Sequence, residues 1–406
     1  MAESKYILYG DGIHDDQPAI QEMIDSGVCE VCLPAPKDKY LITKPLENPS
    51  NFKLKLPRLA HIKLADGANC FMLKNKTVSK KEKRLRDHIS LLERNVWYYI
   101  DELSPDREDE CCNFEIEGGI WDFNNKNQDP NPIQSQKFDE RHFLGHIMFF
   151  YNVRNFRLSN MTFKDPSNFA VMIDTGSYFT IENIDFDYND GNPYAINMDG
   201  IHLNGGCHYG IIRNLKGTCY DDLVALNAYE GAGGDITNIE IDGLFAEGCH
   251  SAVRLIAVTQ NVENITISNV FGTYYQYCIG LTKFYDVETT GHFDGIILNN
   301  IHASKAERTE LHEVHMIAMG VDTKTHYPFI WLQNETHIKN LLIDGLYRIE
   351  HHNPIETIRI DEKTVVENLV INNASIENYT KSDVPLILNN GTVKKQSLNN
   401  VSYNKN

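Results

Sequence analysis

Three carboxylates fall within one stretch of the chain, residues 197–227. Asp199 stands alone, and the adjacent pair Asp221-Asp222 begins 22 residues later. Each acid leads an apolar-alternating run, Gly200-Ile201-His202-Leu203 and Leu223-Val224-Ala225-Leu226. Alternation of this kind reads as a half-buried strand. The acids therefore sit at the starts of two strands about one structural repeat apart. If strand stacks on strand, the three carboxylates converge. Carboxylates facing one cleft suit glycoside hydrolysis, in which one is held protonated to donate to the leaving oxygen and another is ionised to activate water.

Such an arrangement needs stacked coils, and the chain repeats accordingly. From Val153 onward, runs such as YFTIENIDF, VENITISNVF and VENLVINNASI recur. Each ends in an Ile/Leu-x-Asn or Ile-x-Gly step, at Asn160, Asn183, Asn214, Gly243, Asn269, Asn300, Gly345 and Asn373. Most separations lie between 23 and 31 residues, with one of 45. Such periods with internal alternation predict a solenoid of three short strands per coil. Asn accepts the left-handed turn and bonds its neighbour, so the steps are expected to form a structural Asn ladder. The wide gap marks an inserted loop, 304–333, expected to wall one end of the cleft.

Counted from the ladder, Asp199, Asp221-Asp222, His250 and Lys283 are expected on corresponding strands of four successive coils. Stacking at about 4.8 Å gathers them into a strip of roughly 15 Å, enough for a few sugar subsites. Each residue also has a plainer reading. Asp199 in Asp-Gly suits a turn, His250 suits a structural role, and Arg254 and Lys283 suit ion pairs with the acids. Their joint register carries the argument.

The fold class expected is all-β, a right-handed parallel β-helix with an N-terminal capping helix and a helical insertion. It is read as a single β-helix domain over 1–406. Residues 1–75 form the cap and first coils, 76–110 a helical insertion, 111–380 the main coils and 381–406 a C-terminal cap or tail. In the cap, Asp15 or Asp16 is expected to cap a helix with Pro18 in its first turn. The insertion is read from helical spacing at Leu85, Ile89, Leu92 and Val96.

A net charge of −18 argues against a nucleic-acid partner, which needs a basic face. Nine cysteines, an odd number at irregular spacing, argue against a disulfide framework, and Cys29 and Cys32 are expected in a strand core rather than at a metal. No apolar run is long enough to span a membrane. Absence of a signal-like leader and reduced thiols together suggest the cytoplasm.

Two resemblances refine this picture. Gly10-Asp11-Gly12, Asp15-Asp16 and Ala19-Ile20-Gln21 resemble the N-terminal cap of pectin-lyase-like β-helices. Asn197-Met198-Asp199, Asp221-Asp222 and Gly248-Cys249-His250, followed by Lys283, resemble the NTD, DD, GHG and RIK motifs of glycoside hydrolase family 28, the polygalacturonase type. The resemblance implies Asp221 as general acid, with Asp199 and Asp222 positioning and deprotonating water. It implies substrate-binding roles for Asn197, His250, Arg254 and Lys283, inversion at the anomeric carbon, and no cofactor or resident metal. Ser251 replaces the second glycine of GHG, and Leu281-Thr282-Lys283 lacks the arginine of RIK. Arg254, one coil earlier, can replace it, and the sugar stays open.

The function expected is hydrolysis of a uronate-containing (pectin-type) or related glycan, with attack from chain ends favoured. A carbohydrate is the partner, with no nucleic acid and no membrane, and the oligomeric state is open. One alternative is a polysaccharide lyase or epimerase, for which the acids could hold Ca²⁺. Another is a non-catalytic, tailspike-like β-helix that binds glycans.

Overall fold

The computed structural model describes residues 7–76, 110–128, 145–195 and 197–405. Most of the expected helical insertion therefore lies outside the described residues. Among the described residues every named strand pairs in parallel, coil on coil, and the chain forms the expected right-handed β-helix. Long strands such as Met148–Lys164, Val171–Asp187 and His208–Thr218 are bent within their length and stack on one another.

The bends come from the ladder residues. Asn160, Asn183, Asn214, Asn269, Asn300 and Asn373 all have φ between 53° and 58°, and Gly243 and Gly345 have φ of 77° and 75°. This left-handed region is open to Gly and tolerated by Asn. The amides bond along the stack, Asn183 Nδ2 to Asn160 Oδ1 at 3.0 Å and Asn214 Nδ2 to Asn183 Oδ1 at 3.1 Å. Where Gly243 has no amide to offer, Asn269 bonds the neighbouring Asp242 instead. Inside the coils, aliphatic side chains repeat in register. Leu158, Ile181, Ile212, Ile241, Ile267, Leu298, Ile343 and Ile371 form one fully buried column. Leu398 ends it, 44% exposed on the last coil.

At the N-terminus, α1 (Gln17–Asp25) buries Ala19, Ile20 and Ile24 against the first coils. Asp16 occupies the N-cap position but makes no side-chain cap. Its carboxylate accepts from the main-chain N–H groups of Tyr9, Gly10 and Leu41, tying the Gly-Asp-Gly turn to the first coil. All nine cysteines are free. Cys29 and Cys32 are exposed, correcting the expectation of a core position. In the three-residue strand Glu30–Cys32 only Val31 points inward, so alternation sends Cys32 to solvent, and Cys29 lies in the bend before the strand.

The insertion 304–333 carries α2 (Glu310–Ala318), where a loop was expected. Thr309 Oγ1 accepts from His312 N–H, and His312 Nδ1 accepts from Thr309 N–H, closing a capping box. Two basic side chains fix the segment that follows. Arg308 donates to the carbonyls of Thr323 and Thr325, each at 2.6 Å, and Lys305 Nζ donates to that of Tyr327 at 3.2 Å. No helix among the described residues is long and apolar enough to cross a membrane.

Candidate active site

Six short strands stack in order to form the sheet beside the acids: Ile201–Asn204, Asp222–Asn227, Ser251–Ile256, Ile279–Thr282, Ile330–Leu332 and Ile358–Ile360. Their register aligns Ile201 with Val224, Val253 and Ile279. Counting back two residues puts Asp199, Asp222, Ser251 and Tyr277 in one column. The residues just before the last three, Asp221, His250 and Gln276, form a second. Asp221 lies in a bend ahead of the strand that Asp222 opens. That bend frees the adjacent acids from the opposite-face rule of a regular strand.

The columns are wired together. Asp222 N–H donates to Asp199 Oδ1 at 2.9 Å, and His202 Nδ1 lies 2.6 Å from Asp199 Oδ2. The other nitrogen of His202 faces Asn204 Oδ1 at 3.0 Å and Glu230 Oε2 at 3.2 Å. Both ring nitrogens thus meet acceptors, which suits an imidazolium. Burial opposes that charge, but the hydrogen bonds to Asp199 and Glu230 outweigh it and lift His202 to about 10. The Ser251 hydroxyl and, at 3.2 Å, the Tyr277 hydroxyl donate to Asp222 Oδ1.

The adjacent pair splits electrostatically. Burial first, then the charges of Asp199 and Asp222, push Asp221 well above the usual carboxylate range. Burial would raise Asp222 too, but His250, Arg254 and Ser251 hold it below its ordinary value. His250 Nδ1 is 3.3 Å from Asp221 Oδ1 and 3.8 Å from Asp222 Oδ1. Asp221 Oδ1 and His250 Nδ1 are nevertheless buried without a hydrogen-bond partner. One carboxyl is pushed towards its neutral form and its neighbour towards its ionised form, the division of labour that acid–base catalysis uses.

Asp221 opens into a cavity of about 350 Å³. Asn197, His250, Arg254, Gln276 and Gln333 supply its other polar lining. Tyr277 and Phe284 line it from the coils, and Met319, Val321, Tyr327 and Trp331 from the insertion and the strand after it. The insertion does wall the cleft, as expected. Gly280 is part of this construction, because a Cβ there would meet the Tyr277 ring at 3.0 Å. Behind the acid, His315 of α2 stacks on Tyr220 at 3.8 Å, and His312 stacks on Tyr275 at 4.3 Å. Burial lowers both histidines, to about 3 and about 4. At Gly248, φ is +62°, and a Cβ would lie 3.2 Å from the His312 ring.

The structure thus brings Asn197, Asp199, Asp221, Asp222, His250 and Arg254 together. Asp221 lines the cavity, and Asp199 and Asp222 are buried beside it. Lys283 departs from the expected alignment. It lies six residues past Tyr277, after its strand has ended, and its ammonium bonds Glu335 Oε2 at 2.8 Å. It is not among the cavity-lining residues. Sequence reasoning passed over Ser251, Tyr277, His202 and Glu230. Aligning Asp222-Leu-Val, Ser251-Ala-Val and Tyr277-Cys-Ile would have found the first two. Asp221, Asp222 and His250 also offer ligand atoms within 4.8 Å of one another, a donor set that a cation could use.

Residues 109–307 match the profile of Glycosyl hydrolases family 28. No curated protein matches the chain by sequence. Among solved structures, the endo-xylogalacturonan hydrolase from Aspergillus tubingensis superposes with a TM-score of 0.55 at 12% identity, covering 97% of this chain and 94% of that one. The family 28 exopolygalacturonase of Yersinia enterocolitica gives 0.54 at 12%, covering 96% and 76%. A tailspike mutant of E. coli bacteriophage HK620, in complex with a hexasaccharide, gives 0.56 at 12%, covering 98% and 63%. At these identities the likeness is one of fold. The resemblance to family 28 read from the motifs holds over the matched segment.

Proposed function

On the premise of a family 28 fold, we propose that this chain is a glycoside hydrolase acting on an oligo- or polysaccharide of pectin type or a related glycan. The observation that carries the proposal is the split of the adjacent pair, Asp221 raised and Asp222 lowered, at the wall of a cavity of sugar size. Asp221 gives its proton to the glycosidic oxygen as the bond to the anomeric carbon breaks. Water adds to that carbon and passes a proton to Asp222. Asp199 anchors this turn, since one oxygen holds the Asp222 N–H and the other holds His202. His250 packs beside the acid, and Asn197 and Arg254 line the sugar's place. The wall built by the insertion favours attack at chain ends.

The resemblance implies inversion, which uses carboxyl groups roughly 6.5–9.5 Å apart. Retention, with a carboxylate of the cluster as nucleophile, is the outcome that a closer pair of carboxyl groups would give. Proton NMR of the first-formed sugar decides between them. A product of opposite anomeric configuration supports inversion, and one of the same configuration supports retention. An unsaturated, ultraviolet-absorbing product stimulated by Ca²⁺ would replace both with a lyase. Saturable glycan binding with no turnover of any sugar would leave a binding protein.

A further inference from the structure

Among the described residues, the cations flanking the cavity other than Arg254 are engaged elsewhere. Lys283 is paired with Glu335, and Arg359 is paired with Glu356. Lys305 and Arg308 are spent on the main-chain carbonyls of the insertion. Among the described residues lining the cavity, Arg254 is the one Lys or Arg. Its guanidinium lies 4.5 Å over the Phe284 ring, its Nε donates to Thr282 Oγ1 at 3.3 Å, and its Nη1 is 4.0 Å from Asp222 Oδ2. A carboxylate brought to Arg254 would compete with Asp222 for the same charge and would lie near that buried acid. Much of the remaining lining is aromatic, with the Tyr327 and Trp331 rings 5.0 Å apart and Tyr277 5.7 Å from Trp331. Trp331 is fixed by a 2.7 Å bond from Nε1 to Asp361. Polar groups without charge, Gln276 and Asn197, complete the lining, and Gln276 Oε1 is buried and unpartnered.

We propose that this cavity takes a neutral sugar ring, with its C–H face laid on the wall of Tyr277, Tyr327 and Trp331 and its hydroxyls on Gln276, Asn197 and Asp221, and that it discriminates against a uronate at this subsite. The inference rests on the glycosidase reading for the identity of the ligand as a sugar, and it narrows the class of that sugar.

The test is calorimetric titration of the Asp221→Asn protein with matched oligosaccharide pairs. Each pair is an oligogalacturonide and its carboxyl-reduced counterpart, identical in linkage and anomer, over a panel of linkages. The neutral member of at least one pair is expected to bind about tenfold or more tighter than its uronate twin. That affinity should change little with salt, since no ion pair forms. Trp331→Ala should lower it by about tenfold with an unchanged melting temperature. Tighter binding of the uronate, weakening as salt rises, would overturn the proposal, as would no binding of any neutral member or indifference to Trp331→Ala. Wild-type turnover of the same pairs separates the two claims. Cleavage of uronate alone keeps the glycosidase and removes the neutral subsite, and binding of a neutral sugar never cleaved does the reverse.

Discussion

The same coils turn two corners with polar residues, and they use them in opposite ways. At the ladder corner, Asn160, Asn183 and Asn214 sit in the left-handed region, near solvent, and each amide finds its neighbour. At the cleft corner, Asp199, Asp221, Asp222 and His250 are buried, and Asp221 Oδ1 and His250 Nδ1 find no partner. A polar group that repeats from coil to coil and is satisfied stabilises the stack. One that breaks the repeat, is buried and lacks a partner costs stability, and it persists where chemistry needs it. The column of Asp221, His250 and Gln276 shows this directly, because Asp221 Oδ1, His250 Nδ1 and Gln276 Oε1 are all buried without a partner.

The largest break in this contrast should come from Asp221→Asn. It is expected to lower turnover by about a thousandfold while leaving the melting temperature unchanged or higher. Initial rates on the cleaved sugar and a thermal melt check both halves. The sign of the stability effect follows from linkage. Asp221 titrates above its unfolded value, so its contribution is present at low pH and is lost as pH rises through the folded value. The advantage of the Asn variant should therefore grow with pH.

Rate against pH sharpens the same point. The alkaline limb should follow deprotonation of Asp221 and lie well above the usual carboxylate range. The acid limb should follow protonation of Asp222 and lie below it. A profile with both limbs at ordinary carboxylate values would contradict the split.

Smaller effects should come from behind the acid. His315→Ala removes the ring stacked on Tyr220 and should lower kcat by about tenfold with KM little changed, whereas His315→Phe should restore it. Kinetics of the two variants, with a melt as control, distinguish positioning from plain loss of packing. Smallest is the ladder. Asn183→Ala should cost about 1 kcal/mol in urea titration through the lost amide bonds and the strained φ of 57°, with turnover unchanged. A fall in activity there would mean that the two corners are coupled.

Much of this was legible in the chain itself. The steps at Asn160 through Asn373 announced the ladder because a left-handed corner restricts the residue types that fit. The acids announced the cleft because Asp221-Asp222 runs straight into a core strand. Lys283 misled because counting from the ladder fixes the coil but not the position along the strand, and its real partner, Glu335, lies 52 residues on. His202 and Glu230 were hidden because their meeting depends on a turn between distant strands. The wall of Tyr327 and Trp331 depends on how Arg308 and Lys305 fold the insertion, which no period encodes.

The central claim is that Asp221 is the acid of a glycoside hydrolase. The most direct measurement follows reducing ends and ultraviolet absorbance together, for wild type and Asp221→Asn, across a panel of neutral and acidic oligosaccharides. The account predicts new reducing ends without an absorbing product in the wild type, lost in the variant. An absorbing product, or equal release by both proteins, would contradict it.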